Sequence, residues 1–180
     1  AGLRRDDVPS AAHGHADCLS AIVWLGGRPV LVDAGVLMYN GPAAWVGHFR
    51  RTGAHNTLRV DERDQAEYCG RMDWKRTYAP RFERCDVADG RWRVTGSHDG
   101  YTRLDGDLIH RRTVYLRPHG YVVICDEVFC SQPHDIELVF QFAPGDARLE
   151  PDRLRFDHAE VAWAAGRPLE PTLPRGGGQA

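Results

Sequence analysis

The segment Leu108-Ile109-His110-Arg111-Arg112-Thr113-Val114-Tyr115-Leu116 decides the fold, because its side chains alternate along the chain as those of a β-strand do. Asp105-Gly106 precedes this segment, and Gly120 begins the strongest β-forming run, Tyr121-Val122-Val123-Ile124-Cys125. One face of the alternating strand is expected to be solvated, which accounts for the charged triplet His110-Arg111-Arg112. A β-rich fold is therefore the starting hypothesis.

Further short β-type runs lie on both sides of this segment and are separated by turn residues. Gly26-Gly27 predicts a hairpin between residues 18–25 and 28–32, and Asp89-Gly90 predicts another between 81–87 and 91–97. The other predicted strands are 57–60, 136–142, a short run near 154–156 and another near 161–163, whereas 65–78 is expected to be irregular. Many short strands at regular spacing are typical of an all-β, antiparallel β-sandwich, here a two-layer, supersandwich-like one.

One short helix interrupts the strands. Pro42 suits the first turn of a helix that extends to about Arg50, and Trp45 and Phe49, four residues apart, are expected to form its buried side. The predicted sandwich domain comprises residues 1–165. The tail, 166–180, is rich in Pro and Gly and is expected to be unpaired.

Composition excludes several classes of protein. The chain has 180 residues, a net charge of −2 and no apolar run near the ~20 residues of a membrane span. Neither nucleic acid nor a membrane surface is therefore an expected partner. Five cysteines without a CxxC spacing indicate neither a disulfide framework nor a zinc knuckle, and Cys18 and Cys125 are expected in the core.

The chain lacks an initial Met, and its most chemical stretch, Ala12-His13-Gly14-His15-Ala16-Asp17, begins a dozen residues in. We therefore expect a fragment whose N-terminal part is missing. If this stretch is extended, His13, His15 and Asp17 share one face, because residues two apart in a strand point the same way. Such a face suits a binding site, although a polar loop with solvated histidines is the alternative.

Three residues from separate segments form a candidate metal site. His15 precedes the first hairpin strand, Asp33 ends its partner, and His55 lies just before the next predicted strand. Two histidines and one aspartate would suit zinc, with water or substrate as a fourth ligand. Nine histidines in the chain can also produce such a triple by chance.

Motifs in the same order along the chain resemble the heparinase II/III-like family of polysaccharide lyases. The resemblance spans roughly residues 10–145 and does not specify a substrate. It rests on His13-Gly14-His15-Ala16-Asp17, Val32-Asp33-Ala34-Gly35, Tyr39-Asn40, Arg51-Thr52-x-x-His55-Asn56-Thr57, Asp64-Gln65, Gly100-Tyr101-x-Arg103-Leu104, His110-Arg111-Arg112 and Phe140-x-Phe142-Ala143-Pro144.

The resemblance implies an N-terminal α/α toroid followed by a C-terminal β-sandwich, with the active site between them; this chain is similar to the sandwich alone. It implies one structural zinc ion held by His15, Asp33 and His55. It also implies that His13 lies at the active site, while the catalytic Tyr comes from the toroid. Such lyases cleave uronic-acid glycosides by β-elimination, in which an imidazole can serve as base or acid.

The remaining site residues keep two interpretations each. Arg51 is a candidate for binding the sugar carboxylate or for pinning its own loop, and Tyr39 and Asn40 are candidates for sugar contact or for a turn. Asn56 is expected to hold backbone near His55, and Gln65 and Trp74 to lie in the core or line the cleft. The other histidines, His48, His98, His119, His134 and His158, are expected to be surface or satisfied residues.

The resemblance predicts an acidic polysaccharide or oligosaccharide as substrate, such as a glycosaminoglycan or alginate. It favours a periplasmic or secreted location in a bacterium and leaves a cytoplasmic one open. The alternative from another class is a non-catalytic carbohydrate-binding or structural sandwich module.

Overall fold

A computed structural model describes residues 13–70, 73–117 and 120–173. Strands dominate these residues and pair antiparallel throughout, so the predicted all-β, antiparallel sandwich class is confirmed. Two compact units divide between Phe142 and Ala143. The domain limits 1–165 and 166–180 stay predictions; no helix or strand is assigned in 166–173, and 174–180 lie outside the described residues.

The first unit holds the helix and ten of the strands. These are β1 Val23–Leu25, β2 Arg28–Leu31, α1 Ala43–His48, β3 Leu58–Val60, β4 Glu67–Gly70, β5 Asp73–Arg76, β6 Pro80–Ala88, β7 Arg91–His98, β8 Ile109–Leu116, β9 Val122–Phe129 and β10 Ile136–Leu138. The second unit holds one three-stranded sheet, with β11 Arg148–Glu150, β12 Arg153–Arg155 and β13 Glu160–Ala162 in that order.

Strands β6 to β9 form a four-stranded meander, and both hairpins predicted from sequence are present. In the β6–β7 turn, Asp89 has φ 51° and Gly90 has φ 70°. Two successive positive φ angles characterise the type I′ turn, whose twist matches that of paired strands. Local turn chemistry therefore sets the register of this hairpin.

The meander register places four polar residues on one face. His98 pairs with His110, and Gly96 pairs with Arg112, which in turn pairs with Asp126 of β9. His110 and Arg112 are buried, so the expectation that the charged triplet is solvated is wrong for both, while the intervening Arg111 is half-buried. The alternation along this strand was predicted correctly. The prediction did not identify the face with His110 and Arg112 as the one that packs inward.

Two small hydrophobic clusters form the core of the first unit. One comprises Ala16, Cys18, Ala66, Trp74 and Tyr78, and the other comprises Leu58, Val60, Tyr101 and Leu108. The first cluster includes Ala16, which lies between His15 and Asp17 of the candidate site, and the nearby Cys18.

Three further expectations need correction. Residues 65–78 contain a hairpin, β4–β5, with β-bulge irregularities that obscure its alternation. Trp45 is 53% exposed, because α1 turns Gly47 inward against Tyr68, where a Cβ would lie 2.9 Å from the ring. Cys125 is exposed, since β9 alternates and Ile124 points the other way.

All five cysteines are free, as their number and spacing predict. Within the described ranges, the structure contains no helix with the length and apolarity needed to cross a membrane.

Candidate metal centre

Side chains from elsewhere in the fold anchor the backbone of residues 14–16, which forms no strand. The Trp74 indole N–H donates to the Gly14 carbonyl (3.2 Å), and the Tyr78 hydroxyl donates to the His15 carbonyl (3.1 Å). The Ala16 N–H donates to the carbonyl of Arg50 (2.9 Å). His15 and its neighbours are therefore held by the core and not by a sheet.

The next residue with anchored backbone, Cys18, pairs with the buried amide of Gln65. The Cys18 N–H donates to Gln65 Oε1 (2.8 Å), and Gln65 Nε2 donates to the Cys18 carbonyl (3.1 Å). The Thr57 hydroxyl donates to the same carbonyl (2.8 Å). Gln65 thus belongs to the core, and its contacts fix the backbone at Cys18, which leads into the first hairpin.

His55 is presented by a separate loop that Asn56 secures. A 3-10 turn, Thr52–Ala54, precedes His55. The Asn56 side-chain amide donates to the carbonyls of Ala21 and Val32 (both 2.8 Å) and accepts from the N–H of Gln141 (2.5 Å). The expected role of Asn56, holding backbone near His55, is what these bonds provide.

The three predicted metal ligands converge. The rings of His15 and His55 have centroids 5.2 Å apart, and His55 Nδ1 lies 2.7 Å from Asp33 Oδ2. A hairpin and a loop that are distant in sequence therefore meet at one point.

A fourth residue, Asp17, completes the cluster. Within the described residues, one potential ligand atom from each of His15, Asp17 and His55 lies within 4.8 Å of the other two. Two of the polar atoms there are buried and have no hydrogen-bond partner in the described part of the chain, namely His55 Nε2 and Asp17 Oδ1. Buried polar atoms are nearly always paired, so unpaired ligand atoms that converge fit the donor set of a cation site.

The electrostatics favour the metal-binding form of the imidazole. Burial, helped by the charges of His55 and Arg50, lowers the pKa of His15 to about 4. His15 is therefore neutral at neutral pH, and neutral imidazole is the form that binds a metal. Burial raises the pKa of Asp17, because its carboxylate is partly removed from water.

Asp33 is held from two sides. Its Oδ1 accepts from the Gly35 N–H (2.8 Å), while its Oδ2 contacts His55. Burial opposes ionisation, but the bonds from His55 and Gly35 hold the pKa of Asp33 below its usual value. The carboxylate is thus charged and oriented.

The residues predicted for catalysis and substrate binding lie on the surface. His13 is exposed and contacts the exposed Tyr39 edge-on, with ring centroids 6.1 Å apart; Asn40 is also exposed. Arg51, 55% exposed, pairs with Asp64 (3.2 Å) and lies over the Tyr68 ring. Arg51 therefore ties its loop to Asp64 and Tyr68, and its exposed half is accessible to solvent.

Sequence reasoning missed a buried histidine chain, defined here as His98, His110, Asp126 and Arg112. The Gly100 N–H donates to His98 Nδ1 (3.1 Å), and His98 Nε2 lies 3.0 Å from His110 Nδ1. His110 Nε2 lies 2.7 Å from Asp126 Oδ1. Because Nδ1 of His98 accepts, each ring must carry its proton on Nε2 and donate towards Asp126.

Arg112 completes this chain and connects it to the candidate site. Its guanidinium donates to both oxygens of Asp126 (2.7 and 2.9 Å) and to the carbonyls of Leu19 (2.8 Å) and Asn56 (2.5 Å). The sequence signal for this chain was the placement of His110 and Arg112 at alternate positions of β8. Their burial could not be predicted, because it depends on the register of β8 with β7.

Comparison with known proteins gives one family match and one similar solved structure. Residues 6–166 match the family model described as heparinase II/III-like, C-terminal. Among solved structures, a heparinase III chain with methylated lysines has a TM-score of 0.62 and 20% identity, a likeness that shows a shared fold. The match covers 78% of this chain and 20% of that chain. No curated protein matches the sequence significantly.

Proposed function

Since this chain belongs to the heparinase II/III-like family, as its C-terminal domain, we propose that it is part of a polysaccharide lyase. The substrate is a uronic-acid-containing glycan, cleaved by β-elimination. The observation that carries the proposal is the division of one anchored segment, which exposes His13 to solvent and turns the half-buried His15 and Asp17 towards the buried His55.

The proposed reaction breaks two bonds of the sugar. A base removes the C5 proton, the electron pair of that bond forms a C4=C5 double bond, the bond from C4 to its leaving oxygen breaks, and an acid protonates that oxygen. His13, which the solvent reaches, exchanges a proton with the substrate in this scheme. Arg51 supplies positive charge towards the C6 carboxylate, whose neutralisation makes the C5 proton more acidic.

The cluster around His15 and His55 fits one structural zinc ion, because imidazole and carboxylate are ligands that zinc accepts. His15 and His55 would hold it, together with an aspartate. The bound ion would supply a fixed positive charge that ties the His15 segment to the His55 loop. His13, two residues from His15, would then be held in place for the sugar.

The match to heparinase III spans one fifth of that chain, so we propose that an N-terminal α/α toroid of the same protein supplies the rest of the cleft and the catalytic Tyr. The isolated 180 residues are accordingly expected to be inactive. Measurable turnover by them would contradict this part of the proposal. A polymer too large to enter a cell favours a periplasmic or secreted enzyme, which cell fractionation would test.

The test of the reaction uses the full-length protein and a panel of glycosaminoglycans and alginate. Wild-type protein should generate the ultraviolet absorbance of an unsaturated uronate, and His13→Ala should reduce that rate by about 100-fold or more. His48→Ala is the matched control, because His48 is an exposed histidine on α1. An undiminished rate in His13→Ala would rule out its catalytic role.

Exposed aromatic residues favour a second function, a non-catalytic carbohydrate-binding module. Trp24, Tyr39 and Trp45 are all more than half exposed, and such rings can stack on sugars. Glycan binding without cleavage by the full-length protein, lost on Trp24→Ala, would favour the module over the lyase.

A further inference from the structure

We propose that Arg112 is a positioning residue for the lyase reaction, because it holds the turn at residues 17–20 against the loop that presents His55. This inference rests on the function proposed above. Arg112 is 2% exposed and lies on β8, so it would not touch a sugar. It would act through the geometry of the two segments that it joins.

The donors of Arg112 are the first argument. Its Nε and Nη2 donate to the two oxygens of Asp126 (2.7 and 2.9 Å), and this paired contact fixes the plane of the guanidinium. The remaining nitrogen, Nη1, donates to the carbonyls of Leu19 (2.8 Å) and Asn56 (2.5 Å). Leu19 and Asn56 are distant in sequence, so one oriented group sets the separation of two segments.

The backbone of Leu19 is the second argument. The Ser20 N–H donates to the carbonyl of Asp17 (2.9 Å), which closes a turn, and Leu19, the third residue of this turn, has φ 61°. This left-handed region is usually occupied by Gly or Asn in turns and rarely by Leu. A residue keeps such a conformation where its surroundings enforce it. The bond from Arg112 to the Leu19 carbonyl is one such restraint.

The space beside Gly96 is the third argument. Gly96 lies directly opposite Arg112 in the register of β7 with β8. A Cβ at Gly96 would lie 3.1 Å from Leu19 Cδ2 and 3.2 Å from the carbonyl oxygen of Arg81. The meander therefore binds the Leu19 carbonyl through Arg112 and leaves room for the Leu19 side chain at Gly96.

Both joined segments belong to the candidate site. Residues 13–17 lead into the turn, and Asn56 directly follows His55. The Asn56 N–H also donates to the Ser20 hydroxyl (3.1 Å), so a second bond connects the same two segments. Displacing a reacting group by about 1 Å costs about 100-fold in rate. Loss of the Arg112 contacts should therefore slow the chemical step without removing the exposed groups that bind sugar.

Hydrogen exchange in the full-length protein tests whether Arg112 holds the turn, with Arg112→Lys as the variant. Lysine keeps the positive charge beside Asp126 but lacks the planar fork that also reaches the two carbonyls. The Ser20 amide should exchange about 10-fold faster, the effect of losing a hydrogen bond to a charged group. Leu108→Ala, which truncates a fully buried side chain of the second hydrophobic cluster, is the control for loss of stability. Its Ser20 amide should change no more than the amides of the meander.

Steady-state kinetics on a glycan that the full-length wild type cleaves test the effect on the reaction. Arg112→Lys should lower kcat by about 10- to 100-fold and change KM by less than about 3-fold, because the sugar does not touch Arg112. Leu108→Ala should keep kcat within about 3-fold of the wild-type value. An undiminished kcat in Arg112→Lys, or equal losses in both variants, would overturn the proposal.

Gly96→Ala reaches the same turn without altering a charge and guards against a misfolded Arg112→Lys. Its Ser20 amide should also exchange faster and its kcat should fall, because the added Cβ displaces Leu19. Unchanged exchange at Ser20 in the folded variants would overturn the positioning role. Absence of turnover by wild type would instead count against the proposed reaction, and exchange at Ser20 would still decide whether Arg112 holds the turn.

Discussion

Two pairs of histidines in this protein each lie beside an aspartate, and they differ in how completely they are hydrogen-bonded; His98 and His110 are both buried, whereas in the other pair His55 is buried and His15 is half-buried. In the buried histidine chain, each ring nitrogen has a partner, from the Gly100 N–H through His98 and His110 to Asp126. In the candidate metal centre, His55 Nδ1 is paired with Asp33, but its Nε2 is not paired with any described residue. The difference teaches that two clusters of similar residue types are distinguished by the completeness of their hydrogen bonding, which is the feature that marks the second as a candidate site.

The largest expected effect comes from breaking the satisfied cluster. Arg112→Leu should lower the free energy of unfolding by about 3–5 kcal/mol, because it leaves the carboxylate of Asp126 buried without its guanidinium. The neighbouring Arg111→Leu should cost less than about 1 kcal/mol, since Arg111 pairs with Glu83 and Glu127 at the surface. Urea denaturation measures both values. Equal losses would mean that the buried chain is no more important than a surface pair.

The next effect is a dependence of stability on pH. Burial holds the pKa values of His98 and His110 below the usual 6.5, despite the bond from His110 to Asp126. Below pH 6.5, the unfolded chain binds protons that the folded chain does not. The free energy of unfolding therefore decreases as the pH falls from 6.5 to the lower pKa values of the folded protein, and it does not change above pH 6.5.

Each such histidine contributes about 1.4 kcal/mol per pH unit within that window. Urea denaturation between pH 7.5 and 5.5, in chelator so that metal release does not contribute, should show the decline. His98→Gln should reduce the slope of the free energy of unfolding against pH by about 1.4 kcal/mol per pH unit, the contribution of one histidine. An unchanged slope in that variant would show that His98 is not neutral in the folded protein.

The smallest expected effect is a change in the free energy of unfolding that has opposite signs in the two clusters. In metal-free protein, Asp17→Asn should raise the free energy of unfolding by about 1 kcal/mol, since it removes a buried charge whose Oδ1 is unpaired. Asp126→Asn should instead lower it by about 2 kcal/mol, because this carboxylate accepts from His110 and Arg112. Thermal or urea denaturation in chelator distinguishes them, and a loss in both variants would remove the distinction between the two clusters.

Local sequence predicted the elements whose determinants are local. The Asp89-Gly90 hairpin was predictable because its turn residues adopt the backbone angles that the turn needs. The helix beginning after Pro42 was predictable for a similar reason, but the exposure of Trp45 was not, because it depends on Tyr68 taking the inner side of α1.

The sequence indicated which residues of the candidate site lie close together, but not the hydrogen bonds among them. The order of His15, Asp33 and His55 along the chain pointed to one centre, and the structure brings them together. Which nitrogen of His55 faces the centre depends on a bond to Asp33 across 22 positions, which spacing cannot reveal. Likewise, the burial of His110 depends on its register with His98.

The Gln65 amide does for Cys18 what the peptide group of an adjacent strand would do, since it both accepts from and donates to the same residue. A peptide group cannot be removed by a point mutation, but a side chain can. The attachment of the His15 segment is therefore open to adjustment by single substitutions while the ladders of the sheets persist. Single substitutions at Gln65 would therefore shift the backbone at Cys18 without altering the paired strands.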